Sequence, residues 1–129
     1  FFLGYLYNTG TEIEKSPQLA AEWFRKSVEQ GYLHANSFLA ELLEAGTEGV
    51  PADTDLAADL YWQALLAGDE TALQRLTDQI DDRPAAVVRV VQDRLREKGI
   101  FNGRVDGISG PRTVNAVESF AALQLAEQE

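Results

Sequence analysis

The sequence predicts an all-α protein in which helix-turn-helix repeats precede a smaller helical unit. Three observations support this fold class. Apolar residues recur every three or four positions over several stretches, as they do along one face of an amphipathic helix. Glycine follows several of these stretches, where it suits the end of a helix. Residues 19–39 also match residues 56–76 when the chain is shifted by 37 positions, which indicates an internal repeat.

The first repeat unit is predicted to consist of two helices. We expect one helix near residues 18–30, ended by Gly31, and a second near residues 32–45, ended by Gly46. Their core-facing residues are Leu19, Ala20, Trp23, Phe24 and Ser27 in the first helix, and Leu33, Ala35, Phe38, Leu39, Leu42 and Leu43 in the second.

The second unit follows the same plan. A shorter match at a shift of 36 positions extends the pattern upstream and predicts a partial leading helix over Phe1–Asn8. The pairs that are identical at the shift of 37 are Leu19/Leu56, Ala20/Ala57, Ala21/Ala58, Gly31/Gly68, Ala35/Ala72 and Leu39/Leu76.

These units resemble Sel1-like repeats, which are relatives of the tetratricopeptide repeats. The resemblance rests on a period of this length, an alanine three residues before an aromatic, and G-x-x-x-A at the helix junction, over residues 1–76. It implies a short α-solenoid that interacts with a protein partner. The second unit departs from the pattern, because the aromatics of Leu60-Tyr61-Trp62 come one place late. An irregular helical bundle with alanine-rich seams is the alternative.

A polar segment separates the repeats from the rest of the chain. The run from Asp78 to Pro84 is rich in acids and ends in a proline, which is typical of a boundary. We therefore expect domains at residues 1–80 and 85–129. The linker is short, so we expect the two modules to pack together, the second capping the repeats.

The C-terminal unit is predicted to contain two helical patterns joined by a tight loop. The loop runs from Val105 to Thr113, where Gly110 suits an N-cap and Pro111 a first helical position.

This unit resembles the peptidoglycan-binding-like domain of bacterial cell-wall proteins over roughly residues 85–124. That resemblance implies a three-helix module that binds cell wall. Two positions depart from the family pattern: Ser109 replaces an aromatic and Ala121 replaces a glutamine, which implies a smaller groove. The residues that match the family pattern are Gln92, Leu95, Gly99, Asp106, Gly107, Gly110, Thr113, Ala116, Val117 and Phe120.

The candidate binding residues lie in and around this loop. Asp106 has two interpretations: it contacts a glycan hydroxyl or peptide amide, or it accepts hydrogen bonds from its own loop, as Asx turns do. Gly107 is expected to supply a positive φ, and Gly110 and Thr113 to begin the next helix. Arg104 and Arg112 suit a stem-peptide carboxylate. The full candidate set is Asn102, Arg104, Asp106, Gly107, Ser109, Gly110, Arg112 and Thr113.

Aromatic residues in the repeats have a second set of roles. Tyr5, Tyr7 and Tyr32 are candidates for contact with a protein partner, because a tyrosine buries its ring while its hydroxyl seeks a partner. The aromatics with helical spacing and alanine neighbours are expected in the core rather than on a sugar-stacking platform: Trp23, Phe24, Tyr61 and Trp62.

The distribution of charge along the chain limits the classes of partner that it can bind. The chain has a net charge of −10, and residues 85–129 hold six cations and six acids, so the whole net charge belongs to residues 1–84. An acidic N-terminal part repels nucleic acid and anionic lipid. No apolar run is long enough to span a membrane, and the chain has no cysteine for a disulfide or a thiolate metal site.

No catalytic constellation is recognisable in the sequence. His34 is the single histidine, with no second histidine for a metal site and no nucleophile motif beside it. The pairs Asp53/Asp55 and Asp81/Asp82 are expected to be helix caps or surface charges. We therefore predict no enzyme activity, no cofactor and no metal.

The sequence thus favours a non-catalytic, periplasmic or cell-envelope protein of bacterial type. Its C-terminal module would bind peptidoglycan or a muropeptide, and its repeats a protein partner. The alternative is an adaptor or regulator whose C-terminal module is degenerate and no longer binds cell wall. A third possibility is that the chain, which begins at Phe1 without a leader, is the targeting part of a longer enzyme.

Overall fold

The computed structural model describes residues 17–32, 35–46 and 49–128, without the side chains of residues 127 and 128. The predicted all-α class is confirmed over these residues. The repeat region contributes four helices: α1 (Pro17–Glu29), α2 (Ala35–Ala45), α3 (Thr54–Leu66) and α4 (Glu70–Arg75). The expected leading helix over Phe1–Asn8 lies outside the described residues.

The repeat helices end where the sequence predicts. Gly31 follows α1 with φ +92°, a backbone region that favours glycine, and the Tyr32 N–H donates to Ser27 O at 2.9 Å. In the second unit, Asp53 and Asp69 cap α3 and α4 by accepting a hydrogen bond from the N–H three residues ahead. The acids near these turns therefore include structural caps, as expected for Asp53.

The C-terminal part has two long helices rather than three. A 3₁₀ turn at Ile80–Asp82 precedes α5 (Ala85–Glu97) and α6 (Pro111–Gln128), and residues 98–110 between them form an irregular loop. The sequence predicts a loop in this region, and the N–H groups of Asp106 and Gly107 in it bond to a side chain of α5. Pro111 occupies the first position of α6, as predicted.

Most of the aromatic residues expected in the core are buried. Phe24 is fully buried and stacks on Phe38, with ring centroids 5.6 Å apart. Tyr61 and Trp62 are also buried. Trp23 is half-buried instead, and the Lys26 ammonium lies 4.6 Å from its ring centroid. The helix periodicity of the sequence thus located the core but not the orientation of Trp23.

Helix α3 is the common packing partner of both modules. It contacts α2 on one side and α5 and α6 on the other. The Trp62 ring of α3 stacks on the Phe120 ring of α6, with centroids 4.6 Å apart and planes 18° from parallel. The repeats and the C-terminal helices therefore share one hydrophobic core.

A buried ion pair lies at the junction of the two modules. The Arg83 guanidinium, just before α5, lies 3.0 Å from the Glu44 carboxylate of α2, and the Tyr61 hydroxyl donates to the same carboxylate at 2.8 Å. Removal from water raises the pKa of Glu44, although the Tyr61 hydrogen bond and the Arg83 charge act in the opposite direction. Burial also raises the pKa of Tyr61, which keeps its proton for this bond.

None of the helices that the structure describes is both long enough and apolar enough to span a bilayer.

Because Trp62 and Phe120 join the modules, Phe120→Ala should destabilise the whole chain. We expect a loss of about 3–5 kcal/mol in the free energy of unfolding, as for other large-to-small aromatic changes in a core. Chemical denaturation followed by both tryptophan fluorescence and helical circular dichroism is the measurement. The two probes should report one shared transition, in the variant as in the parent.

The matched control is Leu123→Ala on the same helix. Leu123 is 53% exposed, so its truncation should change stability by no more than about 0.5 kcal/mol. Two separate transitions in the parent chain would show that the modules do not share a core.

Candidate ligand-binding groove

The buried side chain of Gln92 organises the loop between α5 and α6. Helix α5 is strongly amphipathic, and Gln92 lies on its buried face with Val88, Val91 and Leu95, where it is 1% exposed. A buried amide is costly unless its donors and acceptor are satisfied. Here the loop that crosses α5 satisfies them.

Gln92 makes five hydrogen bonds to this loop and to the start of α6. Its Oε1 accepts from the N–H groups of Asp106 at 3.1 Å and Gly107 at 2.9 Å. Its Nε2 donates to Thr113 Oγ1 at 3.0 Å, to Ile108 O at 3.1 Å and to Asp106 Oδ1 at 3.3 Å. One side chain therefore holds three backbone groups of the loop in place.

The Asp106 side chain accepts a hydrogen bond from the backbone of its own loop. Its Oδ1 accepts from the Ile108 N–H at 3.0 Å, which is the Asx-turn interpretation of the sequence. That bond, together with the amide of Gln92, lowers the pKa of the Asp106 carboxyl. The carboxylate is exposed, but this oxygen is already engaged by its own loop.

Gly107 and Thr113 are also structural. Gly107 has φ +75°, as predicted, and a Cβ there would lie 2.8 Å from Ala85 O, so only glycine allows the loop to approach α5 this closely. Thr113 is 2% exposed and bonded to Gln92. The loop therefore turns these two candidate residues inward.

The remaining candidates line an open groove on the outer side of the loop. Its volume is about 590 Å³, and it joins a second hollow of about 410 Å³ through the shared residues Phe101, Gly103 and Arg112. The first part is bordered by Arg104, Ile108, Ser109, Gly110 and Pro111, and the second by Asn102, Asn115 and Ser119.

The charged residues on the rim of the groove are Arg104, Arg112 and the exposed Asp106, so the net charge of the rim is positive. Arg112 is exposed and, among the residues that the structure describes, has no hydrogen-bond or ion-pair partner. Arg104 is exposed as well, and its charge contributes to the lowered pKa of Asp106. A guanidinium without a partner suits a carboxylate ligand, since the two planar groups pair through two hydrogen bonds. Phe101 provides a buried apolar floor.

Ser109 stands where the family pattern has an aromatic residue, and its hydroxyl has a different contact. The Ser109 hydroxyl donates to the Asp81 carboxylate of the 3₁₀ turn. Ile108 is 70% exposed at the tip of the loop. The contact to Asp81 could not be read from the sequence, because the two residues are far apart along the chain.

Sequence reasoning missed several residues of the site. Gln92 matched the family pattern, yet no role was assigned to it; a polar residue on an otherwise apolar helix face was the available signal. Asn115 and Ser119 are on the exposed side of α6 and line the second hollow. Nothing in their spacing distinguished them from ordinary surface residues.

Of the candidates in the repeats, Tyr32 does not line this groove. Tyr32 follows α1 and is 60% exposed, while Tyr5, Tyr7 and His34 lie outside the described residues. Across the described ranges, no three residues of the kinds that bind metal are grouped closely enough to hold an ion.

Gln92→Ala should unfold the loop and weaken the core beneath it. It leaves the buried Gly107 N–H and Thr113 hydroxyl without their partner, so we expect a loss of more than about 2 kcal/mol in the free energy of unfolding. Denaturant titration measures this. Gln63→Ala, an exposed glutamine of α3, is the control and should be near neutral. Equal effects of the two changes would contradict the role assigned to Gln92.

The Asx turn should respond to acid. Because the pKa of Asp106 is lowered, its hydrogen bonds are complete above the ordinary carboxyl range and are lost as the pH falls through the lowered value. The Ile108 amide resonance should shift over that acid range. Asp106→Asn keeps an acceptor oxygen and should abolish the step; an unchanged step in this variant would assign the titration to another group.

Comparisons with known families agree with this architecture. A family model described as "Sel1 repeat" matches residues 1–32 and 33–69, and one described as "Putative peptidoglycan binding domain" matches residues 85–122. No curated protein and no solved structure matches the chain. Both resemblances drawn from the sequence are therefore confirmed.

The matches also define the general roles of the two parts. Sel1 repeats imply protein–protein interaction, the C-terminal domain implies peptidoglycan binding, and domains of both kinds are generally non-catalytic. The Sel1 matches cover more than half of the chain. The chain belongs to the Sel1 repeat family, with a domain of the peptidoglycan-binding type after the repeats.

Proposed function

We propose that this is a non-catalytic protein of the bacterial cell envelope. Its C-terminal domain binds peptidoglycan through the stem peptides, and its repeats hold a protein partner at the wall. The proposal takes residues 1–80 as the partner-binding domain and residues 85–129 as the wall-binding domain. The family matches and the 3₁₀ turn that lies between them support this division.

The observation that best supports wall binding is the cationic groove around Arg112. Stem peptides carry free carboxylates and amides, and the groove offers the exposed Arg112 guanidinium beside Asn102 and Asn115. The C-terminal domain has no net charge, so the attraction is local to the groove rather than spread over the domain. Glycan hydroxyls are weaker ligands for such a rim.

The groove is open and shallow, which predicts modest affinity. A ligand would keep much of its surface in water, so each domain should bind in the micromolar to millimolar range. Many weak attachments suit a protein that must remain near a polymeric wall.

Co-sedimentation with purified sacculi tests the proposal. Arg112→Gln removes the charged donor without touching the core and should weaken binding about tenfold, the effect of losing one hydrogen bond to a charged group. Arg96→Gln is the matched control, because Arg96 is an exposed arginine of α5 outside the groove. Failure of the parent chain to sediment, or equal losses in both variants, would refute wall binding.

An adaptor without wall binding is the second candidate, and one contact favours it. Ser109 occupies the position of the family aromatic and is bonded to Asp81 of the linker, so this position serves the junction. Ala121 packs against the shared core. In that case the C-terminal domain acts as the cap of the repeats, and muropeptides should leave the amide resonances of residues 101–113 unchanged.

A further inference from the structure

A small, partly open cavity lies where the repeats meet the last turns of α6. Its volume is about 140 Å³. The repeat side contributes Leu65, Gly68, Asp69, Glu70 and Leu73, and the C-terminal helix contributes Ala121 and Leu125. None of these residues lines the groove around Arg112. The cavity therefore belongs to neither module alone.

The walls of this cavity are apolar and accessible. Leu65 is buried at its base, Leu73 is partly buried, and Leu125 is 55% exposed at its mouth. A cavity of this size holds one benzene-sized group. Filling it would bury apolar surface of Leu125 that is now in contact with water, which favours an apolar occupant.

The surroundings of the cavity are acidic. A shallow depression of about 390 Å³ continues along α4 and shares Glu70 and Leu73 with the cavity, ending at Thr77 and Asp78. Every charged residue that lines either hollow is an acid. The Asp69 carboxylate is buried and accepts from Ser37 Oγ and the Ala72 N–H, so the exposed charges are those of Glu70 and Asp78.

The local charge agrees with that of the whole repeat region. Residues 1–84 hold the entire net charge of −10. A field of this sign attracts basic segments and repels acidic ones before contact. Charge and shape thus specify the same kind of occupant.

We propose that this composite cavity is the docking site for a basic segment of a partner protein. One leucine- or phenylalanine-sized side chain of that segment fills the cavity, and flanking lysines or arginines lie against Glu70 and Asp78. This proposal rests on the proposed function only in assigning a protein partner to the repeats. It adds that recognition requires α6, because Ala121 and Leu125 form one wall.

A model peptide tests the site. The probe is a fluorescently labelled Lys-Lys-Leu-Lys-Lys peptide, titrated into the 129-residue chain at low salt and followed by anisotropy. Replacing the peptide leucine by glycine should weaken binding at least tenfold, and replacing the lysines by glutamates should abolish it. Raised salt should weaken the binding of the basic peptide. Amide shifts should be confined to residues 65–78 and 118–126.

Two pairs of matched variants locate the site. Leu125→Ser should weaken peptide binding at least fivefold, whereas Leu123→Ser, an equally exposed leucine outside the cavity, should not. The double variant Glu70→Gln/Asp78→Asn should also weaken peptide binding at least fivefold. Glu22→Gln on α1 is its control and should leave peptide binding unchanged. All these side chains are exposed, and unchanged thermal unfolding checks that each variant is folded.

Several results would overturn the proposal. One is equal binding of the leucine and glycine peptides, which would indicate attraction to the acidic surface in general. Another is an equal loss in Leu123→Ser and Leu125→Ser, and a third is dimerisation of the chain through this face. Sacculi binding should be unaffected by Leu125→Ser, so loss of wall binding and loss of partner binding are separate outcomes.

Discussion

The structure depends first on the burial of α3 between the repeats and the C-terminal helices. Tyr61 and Trp62 are adjacent on this helix, yet they serve two different contacts. Tyr61 holds the Glu44–Arg83 pair at the junction, and Trp62 stacks on Phe120 of α6. A repeat unit buries its apolar face only against a neighbour, and here the C-terminal domain is that neighbour. Tyr61 and Trp62, the aromatics that come one place late in the second repeat, are thus the residues that contact the C-terminal part of the chain.

The second constraint is the amide of Gln92. It satisfies backbone groups of a loop that forms no regular structure of its own, and its bonds to Asp106, Gly107 and Thr113 fix these residues in place beside the groove. The outer face carries Arg104, Arg112 and the exposed Asp106 carboxylate beside Phe101. Some of the polar residues that are most recognisable in the sequence both build the groove and line it, beside less distinctive neighbours such as Asn115 and Ser119.

These two constraints create two separate surfaces of opposite charge. The groove beside Arg112 is cationic and belongs to the C-terminal domain alone. The cavity beside Leu125 is rimmed by acids and needs both modules. We propose a carboxylate-bearing ligand for the first site and a basic partner for the second. The two sites share no lining residue.

The sequence alone determined the all-α class, the repeat, the ends of α1 and α2 and most of the buried aromatics, because helix periodicity and glycine stops are local properties of the chain. It also identified the positive φ of Gly107 and favoured the Asx turn of Asp106, which need only a few neighbouring residues. Tertiary structure decided the rest: that Gln92 of α5 holds the predicted loop in place, that Ser109 bonds to Asp81, and that Leu73 and Leu125 share a cavity. Each of these contacts joins residues that are far apart in the sequence and come together only when α3 is buried. A local sequence pattern therefore cannot predict them.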